Sequence, residues 1–224
     1  TAGNVFSYVW VVPNTLSDQN RIAVEAKDKG GLVSADTTNI FAIVDNDPPV
    51  VTALEPTEGI SIPEYYPLTV RWQVEDNIGV NSVKVFYSND DGVSYVLMGT
   101  LTDLNVDSLK FDIPIGATDK AKVKVVALDY QGNSGYDESP YFTVIDNTPP
   151  TVSISNPKQN DQFEIGTAIT VDWVGNDNVG ISSVDINYSL DESTTWQEIV
   201  KNLTGLESHQ WLAPNVITNN LIIQ

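Results

Sequence analysis

Residues 45–49 read Asp-Asn-Asp-Pro-Pro, and residues 146–150 read Asp-Asn-Thr-Pro-Pro, 101 positions further along the chain. The same offset relates Trp72 to Trp173 and the pair Asp76-Asn77 to Asp177-Asn178. A register that holds over such distances without an insertion indicates tandem copies of one structural module. The repeat therefore predicts a chain built from successive modules of about 101 residues.

The offset also predicts where the modules begin and end. One complete module spans residues 46–146. Residues 1–45 correspond to the C-terminal part of a module, because Trp10-Val11-Val12-Pro13 aligns with Phe111-Asp112-Ile113-Pro114. Residues 147–224 correspond to the N-terminal part of another. Thr1 is not an initiator Met, so we expect an internal piece of a longer chain.

The complete module has the periodicity of half-buried strands. In residues 67–74, Leu68, Val70, Trp72 and Val74 alternate with polar residues. Clusters of Gly, Asn, Asp and Ser mark turns between such segments. The pattern predicts strands over 50–54, 67–74, 81–88, 94–99, 108–113, 121–129 and 140–145. Seven short strands in about 100 residues are typical of an immunoglobulin-like β-sandwich, so we expect an all-β chain.

Strands are also predicted in the two end fragments of the chain. Residues 1–45 contain candidate strands over 8–13, 21–28 and 40–44, and residues 147–224 supply the first five strands of a module. Residues 221–224 would begin the next strand. A second copy of the chain, placed head to tail, would offer the missing strands, and repeated contacts of this kind would build a filament. Truncation of a longer chain is the alternative explanation.

The Asp-Asn-x-Pro-Pro segments are predicted linkers between modules. Two consecutive prolines fix φ and bar the preceding residue from a helical conformation, so the connection is short and stiff. Stiff linkers between tandem modules predict an extended rod.

Composition restricts the partners and the chemistry. A formal charge of −19 repels nucleic acid and anionic membranes. The longest apolar runs fall far short of the roughly 20 residues that a membrane helix needs. The chain has no Cys, which excludes disulfides and thiol chemistry, and its one His, His209, lies on a predicted strand beside Trp211. Paired-carboxylate chemistry needs a cleft that short loops do not offer, so we expect no enzyme activity.

Two further motifs complete a recognisable pattern. Trp72 is followed by Asp76-Asn77-Ile78-Gly79, and a later segment reads Asp129-Tyr130-Gln131-Gly132-Asn133. With the Pro-Pro linkers, these motifs resemble the bacterial Ig-like repeats of large surface and secreted proteins. The resemblance covers essentially the whole chain. It implies an immunoglobulin or fibronectin III-like fold and an extracellular, secreted or cell-surface, prokaryotic protein.

The sequence leaves three functions open. The first is a structural or adhesive stalk that carries a binding tip, whose partners are neighbouring modules, neighbouring copies, or a surface protein or glycan. The second is an accessory region of a secreted protease or glycosidase. The third is a carbohydrate-binding module, which needs a planar strip of exposed aromatic residues. The stiff linkers and the repeats favour the stalk.

Acidic and amide side chains repeat at the predicted module junctions. In an immunoglobulin-type sandwich the loops after the second and sixth strands lie beside the linker that enters the module. Carboxylate and amide oxygens are the ligands that Ca²⁺ prefers. For the first junction, the predicted ligands are Asp45, Asp47, Asp76, Asn77, Asp129 and Asn133. For the second they are Asp146, Asp177 and Asn178. The alternative is that these residues form Asx turns and need no ion.

A hairpin motif also repeats. Ser88-Asn-Asp90-Asp-Gly92-Val-Ser94-Tyr95 corresponds to residues 189–196, where Ser193 replaces the glycine. We expect the aspartate to accept hydrogen bonds from loop amides and the Gly92 position to have a positive φ. Ser193 must then adopt the same backbone conformation.

Overall fold

The structure, a computed structural model, describes residues 6–103, 105–205, 207–218 and 220–224. These residues form strands and turns, and none of them lies in a helix. The chain is therefore all-β, as predicted. It divides into two compact units: the first contains residues up to 62, 66–113 and 118–144, and the second contains 63–65, 114–117 and 145–224.

The first unit holds two sheets that face each other. Its strands are β1 (Ser17–Asn20), β2 (Ala23–Lys27), β3 (Val33–Thr37), β4 (Phe41–Ile43), β5 (Val50–Glu55), β6 (Ser61–Pro63), β7 (Pro67–Glu75), β8 (Val80–Ser88), β9 (Val96–Leu101), β10 (Ser108–Asp112), β11 (Thr118–Asp129), β12 (Ser134–Glu138) and β13 (Phe142–Ile145). One sheet has the order β10-β7-β5. The other has the order β6-β13-β11-β8-β9, and β12 pairs with β11 in addition.

Side chains from both sheets form one core. Trp72 on β7 is only 4% exposed, and its alternate neighbours Leu68 and Val70 are buried with it. The opposite sheet contributes Val83, Val85, Tyr87, Ala121, Val123, Val125, Ala127, Phe142 and Val144. The period-2 pattern therefore identified the inward faces correctly, and the sandwich is confirmed. Burial of these apolar side chains is the main contribution to its stability.

The N-terminal residues of the first unit form two small antiparallel pairs. β1 pairs with β4, and β2 pairs with β3. Every residue of β2 and β3 is exposed. The strand predicted over 8–13 is wrong, because these residues form no strand and Trp10 is 46% exposed. In the complete sandwich the equivalent segment, β10, pairs with β7, whereas no strand within residues 6–45 pairs with residues 8–13.

The second unit contains two three-stranded sheets. Its strands are β14 (Thr151–Asn156), β15 (Ala168–Asn176), β16 (Val184–Ser189), β17 (Gln197–Leu203), β18 (Ser208–Leu212) and β19 (Ile222–Ile223). The orders are β14-β15-β18 and β17-β16-β19. Val171, Trp173 and Ile186 form its buried core. Trp173 thus occupies the position in β15 that Trp72 occupies in β7.

The two repeated hairpins have the predicted turn. The Oδ1 atom of Asp90 accepts a hydrogen bond from the Ser94 amide at 2.9 Å, and Asp191 accepts one from the Thr195 amide at 2.8 Å. Gly92 has a φ of 79° and Ser193 a φ of 70°. Ser193 therefore adopts the left-handed conformation that a glycine reaches without steric cost.

Candidate metal centre

Three carboxylates from separate segments of the first unit meet at one end of its sandwich. Asp45 belongs to the linker before β5, Asp76 follows β7, and Asp129 ends β11. One carboxylate oxygen from each lies within 4.8 Å of the other two. The strand pairings bring them together, because β7 pairs with β5 and the end of β11 pairs with the start of β8.

Two of the oxygens in this cluster have no hydrogen-bond partner. Asp45 is only 7% exposed, and its Oδ2 atom is buried without a partner. The Oδ1 atom of Asp76 is also buried and unpartnered. Buried polar atoms almost always have a hydrogen-bond partner, so two such oxygens beside a third carboxylate need an explanation. No ion pair joins the three carboxylates to a Lys or Arg within the described part of the chain.

The remaining oxygens of the cluster are held by local hydrogen bonds. Oδ2 of Asp76 accepts from the amides of Ile78 at 2.9 Å and Gly79 at 2.6 Å. Oδ1 of Asp129 accepts from the amides of Gln131 and Asn133, both at 2.8 Å. These are Asx turns, the predicted alternative to a metal site. Each turn fixes one oxygen of its carboxylate. Because the carboxylate is rigid, the direction of the second oxygen is fixed as well.

Hydrogen bonds favour the ionised form of the Asp129 carboxyl. Burial by itself raises the pKa of its carboxyl, but hydrogen bonds from the Asn133 side chain and amide and from the Gln131 and Gly132 amides outweigh it. The pKa therefore lies below its usual range. An ionised carboxylate so close to Asp45 and Asp76 repels them unless a cation lies between.

Asn77 and Asn133 tie the linker to the cluster. The amide nitrogen of Asn133 lies 2.7 Å from Oδ2 of Asp129 and 3.2 Å from the Asp45 carbonyl oxygen. The Asn77 amide nitrogen lies 3.2 Å from Oδ1 of Asp45 and 3.5 Å from Oδ2 of Asp47. Asp47 itself is exposed and lies outside the three-carboxylate group. Among the residues predicted for the first junction, the structure therefore groups Asp45, Asp76 and Asp129 most closely.

The ligand atoms suit a hard divalent cation. Three carboxylates supply oxygen only, and Ca²⁺ takes about six to eight oxygen ligands that include carbonyls and water. Zn²⁺ favours Cys and His, and the chain has no Cys and a single His, His209 on β18. The residues present therefore fit Ca²⁺, with carboxylate positions that the backbone already fixes.

The residues predicted for the second junction, which lie in the second unit, are arranged differently. Asp177 repeats the Asx turn, accepting from the amides of Val179 at 2.9 Å and Gly180 at 2.7 Å, and its Oδ2 is buried and unpartnered. Asp146 is exposed and accepts from the Thr148 amide at 3.0 Å. Asp146 and Asp177 are not part of a three-carboxylate group among the described residues.

A buried glutamate, which was not predicted from the sequence, contacts residues of the second junction. Glu64 is fully buried, and Oε1 accepts from the Gly116 amide at 2.6 Å. Oε2 accepts from the Thr148 hydroxyl at 2.8 Å, and the Asn178 amide nitrogen lies 3.1 Å from Oε1. Asn178 is thus the partner of Glu64 rather than of a linker carboxylate. The offset of 101 gives no signal for Glu64, because Ile165 stands at the equivalent position.

Comparisons with known proteins agree with this fold. Residues 150–219 match the family model described as a bacterial Ig domain. No curated protein matches the chain in sequence. The family match covers most of the second unit.

Solved structures with similar folds include fibronectin(III)-like modules of CbhA from Clostridium thermocellum, with 22% identity over 73% of this chain and 79% of that chain and a TM-score of 0.31. The D00-D0 domain of intimin has 15% identity over 75% of this chain and 87% of that chain, with a TM-score of 0.29. The N-terminal eight Ig domains of Down Syndrome Cell Adhesion Molecule have 14% identity over 78% of this chain, with a TM-score of 0.32. This chain spans 22% of that last structure.

The strand pairings, the buried cores and the family match together identify the fold. The chain is an all-β protein of immunoglobulin-like sandwich architecture, and it is similar over residues 150–219 to bacterial Ig domains.

Proposed function

We propose that this chain is a non-catalytic, extracellular stalk segment of a bacterial surface or secreted protein, stiffened by Ca²⁺ at the linker 45–49. The observation that carries the calcium site is the pair of buried, unpartnered oxygens of Asp45 and Asp76, close to the ionised Asp129. A fold similar to bacterial Ig domains supports the extracellular setting. The described residues include no helix long and apolar enough to cross a membrane.

The ion would act by joining the linker to the two loops that flank it. Asp45 lies on the linker, whereas Asp76 and Asp129 are fixed by the turns after β7 and β11. Without a cation, the three carboxylates repel one another in a poorly solvated site. A bound Ca²⁺ reverses this repulsion, so the segment that enters β5 is held against the sandwich. A stiff connection is what a stalk requires in order to hold its tip away from the cell.

Neighbouring modules of the same polypeptide are the partners that this function needs. Pro48 and Pro49 restrict the linker backbone even before an ion binds. Calcium then adds a constraint that depends on its concentration, which is high outside cells and low inside them. The proposed site therefore stiffens the linker where a surface protein functions.

Thermal unfolding in calcium and in chelator tests this proposal. A ligand that binds only the folded state stabilises it by about 2.7 kcal/mol when present at 100 times its dissociation constant. We expect the melting temperature to rise in calcium, and calorimetric titration to show one site that Asp45→Asn removes. Asp146→Asn, at the exposed equivalent position, serves as the matched control and should leave the titration unchanged. Equal melting temperatures in calcium and chelator would contradict the calcium site.

A further inference from the structure

The outward face of the β11 sheet carries an unusual set of side chains. Val123 and Val125 on β11 point into the core, so Lys122 and Lys124 point outward. The strand register places Glu138 beside Lys124, and it places Val126 between Tyr136 and Lys84. We use the name lysine–tyrosine face for the set Lys84, Lys122, Lys124, Tyr136 and Tyr141.

Aromatic rings hold the lysine ammonium groups in place. Nζ of Lys124 lies 3.9 Å from the centroid of the Tyr95 ring and 5.1 Å from that of Tyr136. Nζ of Lys122 lies 4.5 Å from the centroid of the Tyr141 ring. Such contacts are cation–π interactions, which orient an ammonium group without neutralising it. Tyr136 remains 65% exposed and Tyr141 44% exposed, so both rings are open to a ligand.

The face carries a positive charge on a strongly negative protein. Two acidic residues contact this face: Glu138 lies 3.5 Å from Nζ of Lys122 and 3.1 Å from that of Lys124, and Asp91 accepts a hydrogen bond from the Tyr141 hydroxyl. Burial alone raises the pKa of Glu138, but hydrogen bonds from Lys124 and Tyr95 and the charges of Lys124 and Lys122 together outweigh it, so the pKa lies below its usual range. Three lysines against Glu138 and Asp91 leave one net positive charge on this face, although the chain as a whole has a charge of −19.

Folding does not require this chemistry, because the repeat does not retain it. At the offset of 101, the core residues Val85 and Tyr87 correspond to Ile186 and Tyr188. Most outward residues change in character: Lys84 corresponds to Asp185, Lys124 to Ala23 and Tyr136 to Ala35, whereas Lys122 keeps a basic counterpart in Arg21. The combination of lysines and tyrosines is therefore not repeated at the equivalent positions in the rest of this sequence.

We propose that the lysine–tyrosine face binds an acidic polysaccharide. Exposed tyrosine rings offer apolar surfaces on which sugar rings stack, and lysine ammonium groups pair with sugar carboxylates. Lys122 and Lys124 are two residues apart on one strand, roughly 6.6 Å, which suits repeated charges along a polymer. Lysine is depleted in protein–protein interfaces, which favours a polysaccharide over an acidic protein. A flat sheet face also suits an extended chain better than a small molecule, for which sites are concave.

Binding of oligogalacturonate, measured by calorimetry in chelator, tests this inference independently of the calcium site. The fully methyl-esterified oligomer of equal length is the uncharged control, and polyglutamate represents an acidic protein. We expect oligogalacturonate to bind in preference to both, with an affinity that falls as salt is added. The double variant Lys122→Gln/Lys124→Gln and the single variant Tyr136→Ala should each weaken binding at least tenfold.

Lys110→Gln is the matched control, because Lys110 is an exposed lysine on β10 in the other sheet of the same unit. Its affinity should equal that of the unmodified protein. Melting temperatures of all variants establish that each one is folded. The inference is overturned if oligogalacturonate does not bind, or if polyglutamate binds equally well and Tyr136→Ala has no effect. Equal losses in Lys110→Gln and in the double variant would also overturn it.

Discussion

A Cβ atom at position 135 would lie 1.8 Å from the carbonyl oxygen of Pro49. Gly135 on β12 therefore lets the linker pass directly over the sheet, and Pro49 is buried there. Any larger side chain displaces the linker, because the obstructing atom belongs to the backbone. The displacement also moves Asp45, four residues earlier.

Gly135→Ala should therefore lower both stability and calcium affinity. We expect the free energy of unfolding to fall by about 1–3 kcal/mol, the usual range for overpacking. Urea unfolding measures the first effect and calorimetric titration the second. Ser134→Ala, at the exposed preceding position on the same strand, is the control and should change neither quantity. A Gly135→Ala protein with unchanged calcium affinity would show that the linker does not position Asp45.

Asp76→Asn should have opposite effects on the melting temperature in chelator and in calcium. Its Oδ2 accepts hydrogen bonds from two amides, which the asparagine oxygen can retain, while Oδ1 is buried without a partner. Replacing Oδ1 by an amide group removes a negative charge and adds a donor toward Asp45 and Asp129. We expect the variant to melt higher than the original protein in chelator and to lose the stabilisation by calcium. Asp47→Asn, outside the cluster, should retain that stabilisation. A lower melting temperature of Asp76→Asn in chelator would argue against repulsion within the cluster.

Glu64→Gln should destabilise the second unit. The Glu64 carboxylate is fully buried and accepts hydrogen bonds from Gly116, Thr148 and Asn178, all of them donors. A glutamine amide directs its own N–H groups at one or more of these donors. Because hydrogen bonds to charged groups contribute about 1.5–3 kcal/mol each, we expect a loss of roughly 2 kcal/mol in urea unfolding. Glu55→Gln removes only a 3.4 Å surface ion pair with Arg71 and should cost less than about 1 kcal/mol. Equal losses in the two variants would contradict the role assigned to Glu64.

Acid should weaken the hairpin of the first unit over a defined pH range. Hydrogen bonds from the Ser94 side chain and amide and from Ser88 lower the pKa of Asp90 to about 2 from the ordinary value of 3.8. A lowered pKa in the folded state contributes stability above the unfolded pKa, and that contribution disappears as the pH falls through the folded pKa. The stability difference between the original protein and Asp90→Asn should thus be constant above about pH 4 and shrink toward pH 2. Urea midpoints from pH 2 to 7 measure it, and a constant difference across this range would refute the assignment.

Trp72→Ala and Trp10→Ala should differ greatly although both residues belong to the sequence repeat. Trp72 is 4% exposed, and truncating a large buried side chain costs about 3–5 kcal/mol. Trp10 is 46% exposed, so its truncation should change the free energy of unfolding by less than about 1 kcal/mol. Urea unfolding of the two variants compares them directly. A large loss in Trp10→Ala would mean that residues 6–13 pack more tightly than the structure indicates.

Alternation of apolar and polar residues predicted the seven main strands of the complete sandwich. It missed β6, because a strand of three residues is too short to show a period. It also missed β12, whose Ser134 and Gly135 resemble turn residues and whose glycine is explained only by the nearby linker. The strand over 8–13 was wrong for a different reason. Periodicity describes one strand, whereas a sheet also needs a partner.

The candidate site was predictable where it depended on the repeat. Asp76 and Asp177 follow equivalent strands and form the same turn. The repeat did not distinguish Asp45, which is buried, from Asp146, which is exposed. That difference depends on what packs around each linker. Glu64 was not predictable at all, because its partners come from three distant parts of the sequence and its equivalent is Ile165.

The burial of Asp45 and Pro49 bears on how long such a chain survives among secreted proteases. Only residues 46–48 of the linker are exposed, whereas a protease must take an extended segment of several residues into its cleft. Cleavage therefore has to wait until Asp45 leaves its contacts with Asn77 and Asn133. When opening and closing are fast, the cleavage rate follows the population of the opened linker. The fold that the linker enters in this way protects it from cleavage.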